Sequence, residues 1–113
     1  MSPSTELVQG QLDAYNAQDL EKFLTFYAPD AVLSGLNGEV TQIGKDAIEG
    51  RHRELFATFP QNKAKLVNRI DFGSTVIDHE SVERSPNGET FEVAAIYTVK
   101  DGLIARVDFA RGV

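Results

Sequence analysis

Asp78, His79 and Glu80 stand side by side in one extended stretch, the most polar cluster in any predicted strand of the chain. An aspartate or histidine set in an apolar cleft is a plausible general base. Tyr97 follows Phe91, Val93 and Ala95 on one face of the next strand, so its ring should be buried and its hydroxyl must find a partner. A phenol there can also donate a hydrogen bond to a ligand carbonyl. His52 shares a helix face with Ile48, Leu55 and Phe59, and Gln11 interrupts the stripe Val8, Leu12, Tyr15. Arg111 falls in phase with Val107 and Phe109, and at a cavity mouth its guanidinium would favour an anionic or carbonyl-bearing ligand. Each residue also admits a plain role. The strand cluster could be a solvated or interface face with an ion pair such as Arg69 to Asp78. Tyr97 and His52 could be satisfied core residues, Gln11 a stripe-edge amide reaching water, and Arg111 a terminal cation in solvent. No phosphate-binding loop, dinucleotide glycine fingerprint, zinc spacing or nucleophile elbow accompanies them, so neither cofactor nor metal is expected.

The elements that must position these groups follow from periodicity. A first helix carries Val8, Leu12 and Tyr15, with Ser4 or Thr5 as its N-cap. A second carries Leu20, Phe23, Leu24 and Tyr27, both at the spacing of one buried helix face, and Pro29-Asp30 stops it. Ala31-Val32-Leu33 begins extended chain, and residues 34–43 form a hairpin-like excursion around Asn37-Gly38. Gly44 to Phe59 reads as a third helix ended by Pro60. Four strands follow: Leu66 to Phe72, Val76 to Arg84, Phe91 to Val99, and Leu103 to Arg111. Their turns are Gly73-Ser74-Thr75, Pro86-Asn87-Gly88 and Lys100-Asp101-Gly102. Helices in the first half and a strand-rich remainder predict an α+β domain, a curved antiparallel sheet wrapped around three helices.

Alternation assigns strand faces. Phe91, Val93, Ala95, Tyr97 and Val99 lie together, as do Leu103, Ala105, Val107 and Phe109. A two-residue Asn87-Gly88 turn would set Val82 opposite Val93, Glu80 opposite Ala95 and Asp78 opposite Tyr97. Asp78 and Glu80 then face inward and His79 outward; one extra loop residue reverses this and brings His79 inward.

A chain of 113 residues with no cysteine is expected to be one domain, residues 1–113, with neither disulfide nor thiolate chemistry. The N-terminus lacks the basic start and apolar core of a signal peptide, and no apolar run approaches a membrane span. A cytoplasmic protein without membrane contact is the expectation. The net charge of −6 disfavours nucleic acid as a partner.

Ala14-Tyr15-Asn16-Ala17-Gln18-Asp19-Leu20 and Phe26-Tyr27-Ala28-Pro29-Asp30-Ala31-Val32 resemble the entrance of the nuclear transport factor 2-like superfamily, in its SnoaL-like and ketosteroid-isomerase-like branches. Gly44 to Ile48 resembles the start of its third helix, and Val76 to Glu80 and Tyr97 to Ile104 its closing strands. The resemblance covers nearly the whole chain and implies a cone-shaped α+β barrel. It also implies that Gln11 and His52 stand where ketosteroid isomerases place two hydrogen-bonding tyrosines. Tyr97 stands where they hold a protonated aspartic acid. Gly35 falls at the position of their aspartate base, with no carboxylate close by. The Asp-Arg-Asp constellation of the limonene-epoxide-hydrolase branch has no counterpart here.

The fold hosts enzymes, binding modules and assembly domains. The resemblance therefore implies a small apolar, carbonyl-bearing ligand in an internal cavity. The protein is expected to be a cofactor-free isomerase, cyclase, hydratase or lyase, but not a ketosteroid isomerase. The alternatives are a non-catalytic binding module and a dimerisation module. The candidate base is Asp78 or His79, with Tyr97 or His52 polarising the oxygen. The expected cavity wall comprises Tyr15, Phe23, Tyr27, Leu55, Phe59, Phe91, Val93, Val107 and Phe109, with Gln11 and Arg111 as further ligand contacts. A homodimer is expected through the outer sheet face, where Ile77, Ala94, Ile96 and Ala110 supply apolar area.

Overall fold

The computed structural model describes residues 2–112. Helix α1 (Pro3–Ala17) and the short α2 (Leu20–Thr25) precede strands β1 (Tyr27–Gly35) and β2 (Val40–Ile43); α3 (Lys45–Thr58) then leads into β3 (Lys63–Phe72), β4 (Thr75–Glu83), β5 (Thr90–Lys100) and β6 (Leu103–Arg111). The six strands form one sheet in the order β2-β1-β6-β5-β4-β3. The α+β architecture is the expected one. The sheet is mixed, not wholly antiparallel, because β1 runs parallel to β6.

Local chemistry explains the boundaries. Ser2, rather than Ser4 or Thr5, caps α1 by accepting from the Thr5 backbone N–H, and Pro3 opens the helix where a missing N–H costs nothing. Gln18 leaves α1 with φ of 55°, and Asp19 caps α2 by accepting from the Lys22 N–H. The second helix ends sooner than its apolar spacing predicts, so Tyr27 begins β1. Pro29 lies in the irregular stretch of that strand, between the Tyr27–Ile104 and Val32–Arg106 pairs, where a missing donor is tolerated. In α3 the buried stripe is Ile48, His52 and Phe56. Leu55 sits at its edge, and Phe59 lies just past the last turn.

The β4–β5 hairpin is wider than predicted. Pro86 and Asn87, the latter at φ 62°, occupy the centre of a turn closed by the Gly88 N–H donating to Ser85 O. A two-residue Asn87-Gly88 loop would need Pro86 to donate a backbone hydrogen bond, and proline has no N–H. Val82 therefore meets Phe91, Glu80 meets Val93 and Asp78 meets Ala95, while Tyr97 lies opposite Val76. The displacement is two residues, an even number, so the faces survive: Asp78 and Glu80 point inward and His79 outward. In β6 an irregularity between the Thr98–Arg106 and Val99–Ile104 pairs shifts the phase, so Ile104 is buried in place of Leu103 and Ala105.

The core gathers Val8, Phe23, Tyr27, Ile48, Val76 and Val107 between α1, α2, α3 and the inner sheet face. Ile77 pairs with Ile96 and Ala94 with Ala110 on the other face, where all four are half-buried. Among the described residues no helix is long and apolar enough to cross a membrane.

Candidate functional site

A cavity of about 320 Å³ opens between the helices and the inner sheet face. That volume suits a small organic ligand. Tyr15, Phe23, Tyr27, Leu55, Phe91, Val93 and Phe109 line it as expected, with Gln11, His52, Tyr97 and Arg111. Val107 and Phe59 do not. Val107 is fully buried core, and Phe59 belongs to a neighbouring depression with Ala47, Glu54 and Thr58. Leu12, Leu33, Ala64 and Val82 complete the apolar wall, and Thr41, Gln42, Arg51, Glu80 and Arg84 add polar atoms.

The two tyrosines of the cavity share one amide. The Tyr27 hydroxyl donates to Gln11 Oε1 at 3.0 Å, and Gln11 Nε2 donates to the Tyr97 hydroxyl at 2.9 Å. None of Asp78, His79 and His52 is hydrogen-bonded to the Tyr97 hydroxyl. Gln11 takes that place because it projects from α1 straight onto the tyrosine. The direction of this chain has a chemical consequence. Tyr97 accepts within it, so its own O–H remains a donor for whatever fills the cavity. Burial, then the charge of Glu80, holds the Tyr97 phenol well above its ordinary pKa, so it stays protonated. Tyr27 is raised for the same two leading reasons.

Asp78 is not available as a base. It is fully buried and held bidentately by Arg69, Nε to Oδ1 at 2.7 Å and Nη2 to Oδ2 at 2.9 Å. Arg69 also donates to Gln9 on α1 at 2.8 Å. The pair ties the sheet to a helix beside the cavity and does not line it. His79 is outward and exposed, where its ring meets Glu92. Both candidates for the base are thus corrected by geometry.

Glu80 occupies the place they vacate. It is 6 % exposed on the cavity wall, and its Oε2 has no hydrogen-bond partner. Burial, reinforced by the charge of Asp78, pushes its carboxyl up from 4.5 to about 7. Inward parity marked Glu80 in the sequence, but nothing there distinguished it from Asp78.

His52 lies within an aromatic cluster, its ring centroid 4.6 Å from that of Phe23 and 6.0 Å from that of Phe56. Its Nδ1 lies 2.8 Å from Ile48 O, which places the ring proton there. Burial, aided by the charges of Arg51 and Arg84, lowers its pKa to about 4 against the backbone hydrogen bond. Its Nε2 is then an acceptor, not the donor expected to polarise a carbonyl.

Among the described residues no group of three or more His, Cys, Asp or Glu side chains could hold a metal ion. The cavity instead has the makings of an acid–base site. It has one carboxyl poised near neutrality, one phenol with a free proton and an apolar wall.

Residues 8–107 match the model of the SnoaL-like domain. No curated protein matches the chain. Among solved structures, an uncharacterised cystatin-fold protein from Novosphingobium aromaticivorans is 32 % identical, with a TM-score of 0.90, 98 % of this chain and 99 % of that one being covered. A provisionally named polyketide cyclase from Pseudomonas putida is 25 % identical with a TM-score of 0.74, covering 100 % and 93 % of the two chains. TerC, co-crystallised with polyporic acid, shares the fold at 18 % identity and a TM-score of 0.82, covering 98 % and 92 %.

Proposed function

The chain belongs to the SnoaL-like domain family, and from that premise and the cavity we propose that it binds an apolar carbonyl compound and moves a proton on it without a cofactor. Glu80 carries this reading, as a buried, unpartnered carboxyl on the wall of a ligand-sized cavity. A base with a pKa near 7 combines a useful ionised fraction with real proton affinity at neutral pH.

In this reaction the ionised Glu80 takes a proton from the carbon next to the ligand carbonyl. The electron pair moves onto the carbonyl oxygen, and the Tyr97 O–H donates to that oxygen as its charge grows. Protonated Glu80 then returns its proton to a different carbon, an isomerisation. Alternatively, the enolate carbon bonds to a second carbonyl of the same molecule and Glu80 protonates the new alkoxide, a cyclisation. Gln11 positions Tyr97 and Tyr27. The provisionally named cyclase among the structural relatives supports this class of chemistry.

The test is α-hydrogen exchange of 2-tetralone in deuterium oxide, followed by NMR. The protein is expected to accelerate exchange, with a rate rising as pH passes through about 7. Glu80→Gln should reduce the acceleration by about 100-fold or more. Binding without accelerated exchange would favour the non-catalytic reading. Equal acceleration by both forms would reject Glu80 as the base. The outer-face pairs Ile77–Ile96 and Ala94–Ala110 support, in addition, a homodimer as the working form. Sedimentation as a monomer well above micromolar concentration would overturn it.

A further inference from the structure

Three arginines, one from α3, one just past β4 and one at the end of β6, meet at this cavity: Arg51, Arg84 and Arg111 all line it. Both Arg84 and Arg111 place their guanidinium groups over the Phe91 ring, at 4.9 and 4.1 Å from its centroid. Arg84 also donates to Asn62 Oδ1 at 2.9 Å, and its longer contact is to the Tyr15 hydroxyl at 3.4 Å. These partners are neutral. The salt bridges among the described residues involve Arg53, Arg69, His79 and Arg106, and none involves the three cavity arginines.

This clustering runs against the composition. The chain has 17 acidic and 11 basic residues. Three of its cations nevertheless gather at one apolar cavity, and nearby carboxylates leave them uncompensated. Like charges drawn to one cavity repel, and the ring of Phe91 attracts two of the intrinsically planar guanidinium groups. Glu80 lines the same cavity, but no salt bridge among the described residues joins it to these arginines. The charges acting on the Glu80 carboxyl are those of Asp78 and Arg69, whereas Arg51 and Arg84 act on His52.

We propose that Arg84 and Arg111, assisted by Arg51, form an anion-binding subsite, so the ligand of this cavity is an apolar molecule bearing a carboxylate or equally acidic enolate. The planar guanidinium fork matches a carboxylate in two parallel hydrogen bonds. Phe91, which lines the same cavity, adds an apolar contact for the ligand's body. The anion seats at the arginines and fixes which carbon of the ligand reaches Glu80. The inference rests on the small-molecule reading of the cavity but not on any catalytic role of Glu80.

The experiment compares two matched probes, 2-naphthoate and the neutral 2-naphthamide, by calorimetric titration of the intact protein. The carboxylate should bind at least about tenfold more tightly than the amide, and raising the salt concentration should erode that ratio. Arg111→Met and, separately, Arg84→Met should bring the ratio to within about twofold of unity. Arg84 supports Asn62 and Tyr15, so a fold defect is conceivable there; the exposed Arg111 variant and the salt titration of the native protein decide the question without it. Equal affinity of the native protein for the two probes overturns the anion subsite and leaves the cavity reading intact. Failure of both probes to bind overturns the two together.

Discussion

Asp78 and Glu80 are carboxylic acids two residues apart on the same inward face of β4, and the structure treats them oppositely. Asp78 is bonded through both oxygens to Arg69, which is itself tied to Gln9. Glu80 has a buried oxygen with no partner and looks into the cavity. Asp78 has its charge compensated and carries structure; Glu80 is left without a bonded partner on Oε2 and is available for chemistry. Burial alone does not make a reactive acid. Burial without a bonded counter-charge does, because desolvation then outweighs the weaker attraction of Arg69 for the ionised form.

The sharpest way to break the contrast is to remove the paired acid. Asp78→Ala strands the Arg69 guanidinium, whose side chain is only 11 % exposed. Unfolding in urea should show a loss of about 3–5 kcal/mol. A loss below about 1 kcal/mol would mean the pair is not structural.

The unpaired acid should show itself through pH. Glu80 keeps its proton in the folded state up to about 7, against 4.5 as the ordinary value. Between those values the unfolded chain has lost a proton that the folded chain retains, so rising pH lowers stability, and the loss is complete above about 7. The full effect is at most about 3 kcal/mol. Glu80→Gln should therefore gain stability relative to the native protein between pH 5 and pH 8. A stability difference that stays constant across that range would place Glu80 in water.

Tyr97→Phe tests the donor that shares the cavity with Glu80. It removes the acceptor of the Gln11 Nε2 hydrogen bond and the free phenolic proton together. The variant should stay folded, lose about 1–2 kcal/mol and weaken either ligand affinity or α-hydrogen exchange. Unchanged stability and exchange would remove Tyr97 from the site. The smallest expected signal is an absence: purified protein should not convert a Δ5-3-ketosteroid. The resemblance implies that Gly35, at the end of β1, stands where an aspartate base would be needed, whereas the acid on this cavity wall comes from β4. Substantial conversion would show that the site works from another side.

Much of this was legible before any coordinates. Periodicity located all three helices, and alternation put Tyr97 on the inward face. For β4 it offered either Asp78 with Glu80 or His79, and the observed register, two residues from that of the tight turn, turns Asp78 and Glu80 inward. Face assignment depends only on parity, which an even slip preserves. Pro86 carried the information that would have corrected the slip, since a residue without an N–H cannot close the tighter hairpin.

The sequence by itself determined the α+β architecture and the buried faces of the helices and of β5, because backbone periodicity is a local property. The inward set of β4 and the phase of β6 depended on the hairpin loop and on the β5–β6 irregularity. Only the tertiary structure decided which of those side chains were satisfied. Arg69 reaches Asp78 because the β3–β4 register shifts between Leu66 and Asn68, which sets the two residues directly opposite. Gln11 reaches Tyr97 across 86 residues of chain, because α1 lies against the sheet. A hydrogen bond or ion pair depends on which distant atoms come within about 3 Å, and that proximity is set by packing over the whole fold.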